Sequence, residues 1–254
     1  MTRLFQIINL KTAFITLLSV ISTYLCIQFN ITADFPLTLI ATAVIFPIVF
    51  SINGAYKRRE AALNKYSILK AHGKAIYLVT RDWLESPSDE TLNHAKQKLR
   101  SLFAACKNLF SGSVGDIRDN EEHVYQAFSE LSRFIKEDLR GGGLSSGEVS
   151  RCNQYLSKMF VAFEDAKHIF QYRTPRTLRA FSTLFITILP ILYGPYFAFE
   201  ALEYSREVAY VMPVLFSLVL VSLSNIQHHL ENPYDGIGED DIKINVDEFI
   251  ERLS

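Results

Sequence analysis

Thr42, Phe46 and Phe50 recur at intervals of four residues inside a stretch, Phe35 to Tyr56, that carries no Asp, Glu, Lys or Arg and ends at Lys57-Arg58-Arg59. In a helix this spacing makes one slightly drifting stripe, which Gly54 and Arg58 continue. Phe and Thr side chains cannot replace the water around an ion, so a stripe of them facing a narrow aqueous axis would gate by dewetting. The three cations that follow would concentrate anions. The same stripe turned toward neighbouring helices is plain packing, the commoner use of an aromatic face. Pro47 lies within the stripe, where it removes one backbone donor and leaves the carbonyl of Ala43 to another partner.

Covalent chemistry has no comparable candidate. The sequence holds no Gly-rich phosphate loop after a strand, no HExxH, no serine nucleophile elbow and no His-Cys pair at helical spacing. His228 and His229 are adjacent and point to different helix faces, so they do not chelate one metal together. Cys26, Cys106 and Cys152 are far apart and form no CxxC pair, which argues against a disulfide framework and a structural zinc site. The chain is therefore not read as an enzyme. Its cations alternate with acids along helices and no recognition motif accompanies them, so nucleic acid is not an expected partner.

The elements that must position the stripe follow from the distribution of charge. Four stretches lack Asp, Glu, Lys and Arg: Thr12 to Ala33, Phe35 to Tyr56, Ala180 to Phe199, and Val208 to Leu230. Each meets the roughly 20 residues needed to cross the hydrocarbon core. A charge at mid-bilayer costs about 2.5–3.5 kcal/mol on insertion scales, so four such runs predict an all-α membrane protein with spans at about 12–33, 35–56, 180–199 and 208–230. Met1 to Lys11 reads as an amphipathic lead-in lying at the membrane surface. Basic residues at Lys57 to Arg59 and Arg173 to Arg179, against acids at Asp34 and across Glu200 to Glu207, put both termini and residues 57–179 in the cytoplasm.

The cytoplasmic insert reads as helices. Apolar residues recur at Ala62, Tyr66, Leu69, Ile76 and Leu84, so the second span is expected to leave the membrane unbroken. Ser86-Pro87-Ser88-Asp89 reads as a helix start with Ser86 as N-cap and Pro87 at the first helical position. A further helix runs to Leu139, where three glycines end it, and Ser146 caps the next one, through Tyr172. Thr174-Pro175 offers another cap-and-proline start. Lys57 to Arg179 holds 21 basic and 15 acidic residues, whereas Glu231 to Ser254 holds 8 acidic and 2 basic. Opposite charge is expected to lay this acidic tail along the basic body of the same or a neighbouring subunit.

Two blocks resemble the bestrophin family of membrane channels. One is Phe46-x-x-x-Phe50 followed by Asn53, Ala55-Tyr56-x-Arg58 and a polar helix. The other is Leu189-Pro190 in the third span, a short link, the fourth span, then Glu231-Asn232-Pro233-Tyr234 and an acidic run. With the span order, the resemblance covers most of the chain. It departs where family members carry tryptophans after the arginine matching Arg58; here Arg59-Glu60 follow and Trp83 is the one Trp. The resemblance implies a single bestrophin-like domain over 1–254 and a homopentamer in the cell (inner) membrane. It also implies an anion channel, with chloride as permeant ion, a hydrophobic neck at Thr42, Phe46 and Phe50, and Arg58 at the cytoplasmic mouth. Eukaryotic members bind Ca²⁺ after the last span, and Asn232 and Asp240 match two liganding positions. Here Asp235-Gly236-Ile237 intervene, Lys243 stands near a second Asp position and His229 replaces a Gln, so the oxygen set is incomplete. A different class, a helical membrane adaptor whose cytoplasmic helices bind a partner, fits the same spans.

Overall fold

A computed structural model describes residues 8–112, 117–172, 175–203, 206–234, 236 and 241–253. Among them the regular elements are helical: α1 (Leu10–Gln28), α2 (Leu37–Asp82), α3 (Asp89–Ser111), α4 (Ile117–Phe134) running into a π turn (Ile135–Leu139), α5 (Ser146–Gln171), α6 (Arg176–Leu192), α7 (Gly194–Glu203), α8 (Arg206–Glu231) and α9 (Val246–Glu251). Met1–Lys57 with Thr174–Glu231 form one compact unit, and Arg58–Arg173 with Asn232–Ser254 form another.

The first unit contains α1, the start of α2, and α6 to α8. Among the described residues four helical segments are long and apolar enough to cross a membrane: Leu10–Gln28, Ile40–Asp82, which extends past Lys57 out of this unit, Thr177–Ala201 and Ala209–Glu231. Their packing inverts the pattern of a soluble helix. On α1 the buried residues are Thr12, Ile15, Ser19, Thr23 and Cys26, while Leu10, Phe14, Leu17, Ile21 and Leu25 stay exposed. Lipid tails are as apolar as Leu, so helices in a bilayer associate through small and polar residues that allow close approach. Ile15, Val44, Ile48, Ile186, Leu189 and Leu220 supply the apolar centre of this unit.

Asn30, at φ 54°, ends α1 in the left-handed conformation that Asn tolerates better than most residues. The Ile31 N–H returns to the Cys26 carbonyl at 2.9 Å and that of Asn30 to Ile27 at 3.4 Å, so two otherwise unpaired carbonyls are satisfied.

The third span is not one helix. It stops at Leu192, turns at Tyr193 and restarts as α7, which carries the chain on to Glu203 and so takes up part of the expected 200–207 link. Pro195 has no N–H for the carbonyl of Ile191, and the hydroxyl of Ser22 donates to it instead at 2.7 Å. Ser19 donates to the carbonyl of Pro190 at 2.6 Å. Backbone groups freed inside a bilayer need such partners, and α1 supplies them. Gly194 permits the approach: a Cβ there would collide with Ser22 Oγ.

The second unit holds the rest of α2, α3 to α5 and α9. The face expected on α2, Ala62, Tyr66, Leu69 and Ile76, is buried, against Leu99, Leu102, Phe103 and Leu109 of α3, Val124, Phe128 and Leu131 of α4, and Met159 and Phe163 of α5 in one core. Gly73 lets α3 and α5 close on α2, because a Cβ there would lie 3.3 Å from Phe103 and 3.4 Å from Met159.

Two helix starts differ from expectation. Ser88, not Ser86, caps α3, its Oγ accepting the Thr91 N–H at 3.1 Å with Pro87 outside the helix. Ser145, not Ser146, caps α5, because Glu148 sits where its carboxylate can accept the Ser145 N–H at 2.8 Å and close a capping box. Thr174 lies outside the described residues.

The tail docks on its own chain, but charge is not the main reason. Ile242, Ile244, Val246, Phe249, Ile250 and Leu253 are buried in the core of the second unit, and Phe249 meets Phe103 with ring centroids 4.3 Å apart. The expected opposite-charge contact exists as Arg100 with Asp247, both largely exposed. Exposed pairs contribute about 0–1 kcal/mol, whereas each buried large apolar side chain contributes about 1.5–3 kcal/mol, so the apolar residues dominate.

Candidate functional site

Helix α2 has two unlike faces over residues 42–57. Val44, Ile48, Ser51 and Ala55 are buried, at spacings of four, three and four. Thr42, Phe46, Val49, Phe50 and Asn53 are exposed, Phe46 by 58% and Phe50 by 66%. At 3.6 residues per turn, Phe46 points about 160–200° away from Val44, Ile48 and Ala55. The aromatic stripe is thus the face that the packing of its own chain leaves bare. The rings of Phe46 and Phe50 lie 6.0 Å apart, tilted by 39°. The Thr42 hydroxyl donates to the Thr38 carbonyl at 2.6 Å, so its proton is held by its own helix.

The same helical geometry decides which polar side chains share that face. Asn53 and Lys57 each fall within about 20° of Phe46, and both are exposed. Arg58 falls about 120° round the helix from Phe46 and is half-buried. Sequence reading placed Arg58 at the end of the stripe because a four-residue step drifts slowly, but by the third step the drift is a third of a turn.

After α8 the chain turns sharply. Asn232 is buried and its Oδ1 accepts the Tyr234 N–H at 3.4 Å, while the Pro233 carbonyl accepts the Ile242 N–H at 2.7 Å. The Tyr234 ring stacks on Phe110 at 4.5 Å, and burial pushes its hydroxyl up from the ordinary tyrosine range. Asp240 lies outside the described residues. Among the described ones no group of three or more His, Cys, Asp or Glu gathers, and Asn232 already spends an oxygen on the turn.

All three cysteines are free and buried. Burial pushes the Cys106 thiol up to about 12, and burial with the Glu148 charge pushes Cys152 to about 11, so neither supplies a thiolate at neutral pH.

One polar cluster escaped the sequence reading, which assigned Glu231 to the tail. Glu231 ends α8, is buried, and pairs with Arg179 at the start of α6. Nearby on α8, Asn225 donates to Thr12 Oγ1 at 3.2 Å, and Thr12 shares a capping box with Asn9 at the start of α1. The available signal was the pairing of a base entering one span with an acid leaving the next, both at one end of the apolar runs.

No protein-family model and no curated protein matches the chain. Solved structures do. One crystal structure of a bacterial bestrophin homologue from Klebsiella pneumoniae, carrying a point substitution, aligns at TM-score 0.81 with 15% identity, covering 96% of this chain and 99% of that one. A second substituted form aligns at TM-score 0.81 with 14% identity over 96% and 97%. A structure described as a membrane protein aligns at TM-score 0.82 with 14% identity over 96% and 97%. The fold is bestrophin-like, as the two sequence blocks implied. Four apolar helices of spanning length on this fold make the chain an integral membrane protein.

Proposed function

We propose that the chain is a bestrophin-type ion channel that conducts anions, chloride among them, as a homopentamer in the cell membrane. Five copies of α2 line its axis. The observation that carries this reading is the bare face of α2: Thr42, Phe46 and Phe50 are turned away from every helix that packs on Val44 and Ile48. Phe rings around an axis form a narrow apolar neck that empties of water unless it widens, which is a gate. The Klebsiella structures support the reading through their fold and their description as bestrophin homologues. The test is to image the purified particle and measure chloride flux after reconstitution into liposomes. A closed ring with flux supports the channel, whereas a monomer or dimer without flux leaves the helical adaptor.

Both termini and the second unit are cytoplasmic in this proposal. With the native cysteines removed, a single cysteine at Asn30 is expected to react with an impermeant thiol reagent in intact cells and one at Asn120 is not. The opposite pattern overturns the orientation.

Cations at the inner end of the neck draw in anions. Lys57→Glu and Arg58→Glu are both expected to lower chloride permeation relative to sodium. The effect is larger for Lys57, which shares the face of Phe46. Reversal potentials across a salt gradient read the ratio directly, and an unchanged ratio in both variants removes these side chains from the conduction path.

A further inference from the structure

The start of α1, the start of α6 and the end of α8 enclose a cavity of about 300 Å³ within the first unit. Its lining includes Lys11, Arg179, His228, Ser224, Gln227 and Glu231. Among the described residues Glu231 is the one acid on the wall, and it is ion-paired with Arg179, so it does not offset the charge of Lys11. Gln227 and Glu231 are 4% and 6% exposed, an unusual degree of burial for such groups at the end of an apolar helix. Polar groups held out of water in this way cost stability unless they meet hydrogen-bonding partners. A donor-rich, net cationic wall therefore selects an anion with several acceptor oxygens.

Place and size narrow the ligand. Ligand pockets range over about 300–1,000 Å³, and this one lies at the small end, suited to a headgroup rather than a large organic molecule. Its lining residues sit where the apolar runs end, the level of lipid headgroups in a bilayer, and basic pockets between spans at that level bind acidic headgroups. Leu10, Phe14, Leu17 and Ile21 are exposed along α1 from the same end and offer an apolar track for an acyl chain. We propose that this cavity binds the phosphate of an anionic phospholipid, with Lys11 meeting its charge and Ser224 and Gln227 donating to its oxygens. Inorganic phosphate presents the same chemistry without the chain. The site stands whether or not the protein conducts ions.

The test uses full-length protein stripped of lipid in a nonionic detergent. Thermal unfolding and native mass spectra are recorded with phosphatidylglycerol, phosphatidylcholine or inorganic phosphate. Phosphatidylglycerol is expected to raise Tm by several degrees and to appear as bound mass, and phosphatidylcholine is not. Lys11→Gln is expected to weaken phosphatidylglycerol binding about fivefold for the single surface charge removed. Ser224→Leu, which fills the cavity, is expected to abolish it, with lipid-free Tm reporting whether each variant folds. Equal stabilisation by inorganic phosphate keeps the phosphate site and assigns it to the free anion. Equal stabilisation by phosphatidylcholine, no stabilisation by any of the three, or undiminished phosphatidylglycerol binding by folded Lys11→Gln overturns the proposal.

Discussion

Phe46→Ala and Phe50→Ala are expected to assemble as the unsubstituted chain does and to pass more ions. Truncating a fully buried Phe costs about 3–5 kcal/mol. These two rings are more than half exposed, so the area they lose from contact is small and the cost on area bookkeeping is about 1–2 kcal/mol each. At a neck, removing the ring widens the constriction and lets water wet it, which lowers the barrier that gates the ion. Flux per particle should then rise several-fold while the thermal midpoint moves by only a few degrees. Measuring both on one preparation separates the two uses of the stripe. A large fall in stability with no gain in flux would mean that the rings are buried between subunits as scaffold and that the axis lies elsewhere.

A second large effect is expected from the tail. Truncation after Tyr234 removes Ile242, Ile244, Val246, Phe249, Ile250 and Leu253 from the core of the second unit. At about 1.5–3 kcal/mol each, an upper estimate, their loss rivals the 5–15 kcal/mol by which whole domains are stable. The truncated chain should therefore aggregate or run as a loosened particle on size exclusion. Single substitutions show which force holds the tail. Phe249→Ala is expected to cost about 3–5 kcal/mol, because its ring is buried against Phe103. Asp247→Asn breaks only the exposed pair with Arg100 and should cost about 0–1 kcal/mol. If Asp247→Asn proved the more harmful of the two, the docking would be electrostatic after all.

These two expectations rest on information of different kinds. That the chain holds four helices long and apolar enough to cross a membrane was legible from charge alone, since a run of some 20 uncharged residues has few other physical uses. The helical faces of the second unit were equally legible, because a helix beside water must bury its apolar stripe; Leu99, Leu102, Phe103, Val124, Leu131, Met159 and Phe163 are all in the core. Inside the first unit that rule loses its force. When both lipid and protein are apolar, hydropathy does not say which face turns inward, and α1 buries Thr12, Ser19 and Thr23 while presenting Phe14 and Leu17 outward.

Composition determined the spans, their order, the opposed charges of tail and body and the absence of recognisable catalytic motifs. Tertiary structure decided what depends on which groups meet. It broke the third span at Tyr193, because Pro195 withholds the donor for the Ile191 carbonyl, which Ser22 of another helix replaces while Ser19 donates to the carbonyl of Pro190. It turned the tail from a charged strap into part of a core, because Phe249 and its neighbours find Phe103 there. It also left Phe46 and Phe50 bare on α2, a fact about contacts that no local pattern of residues contains.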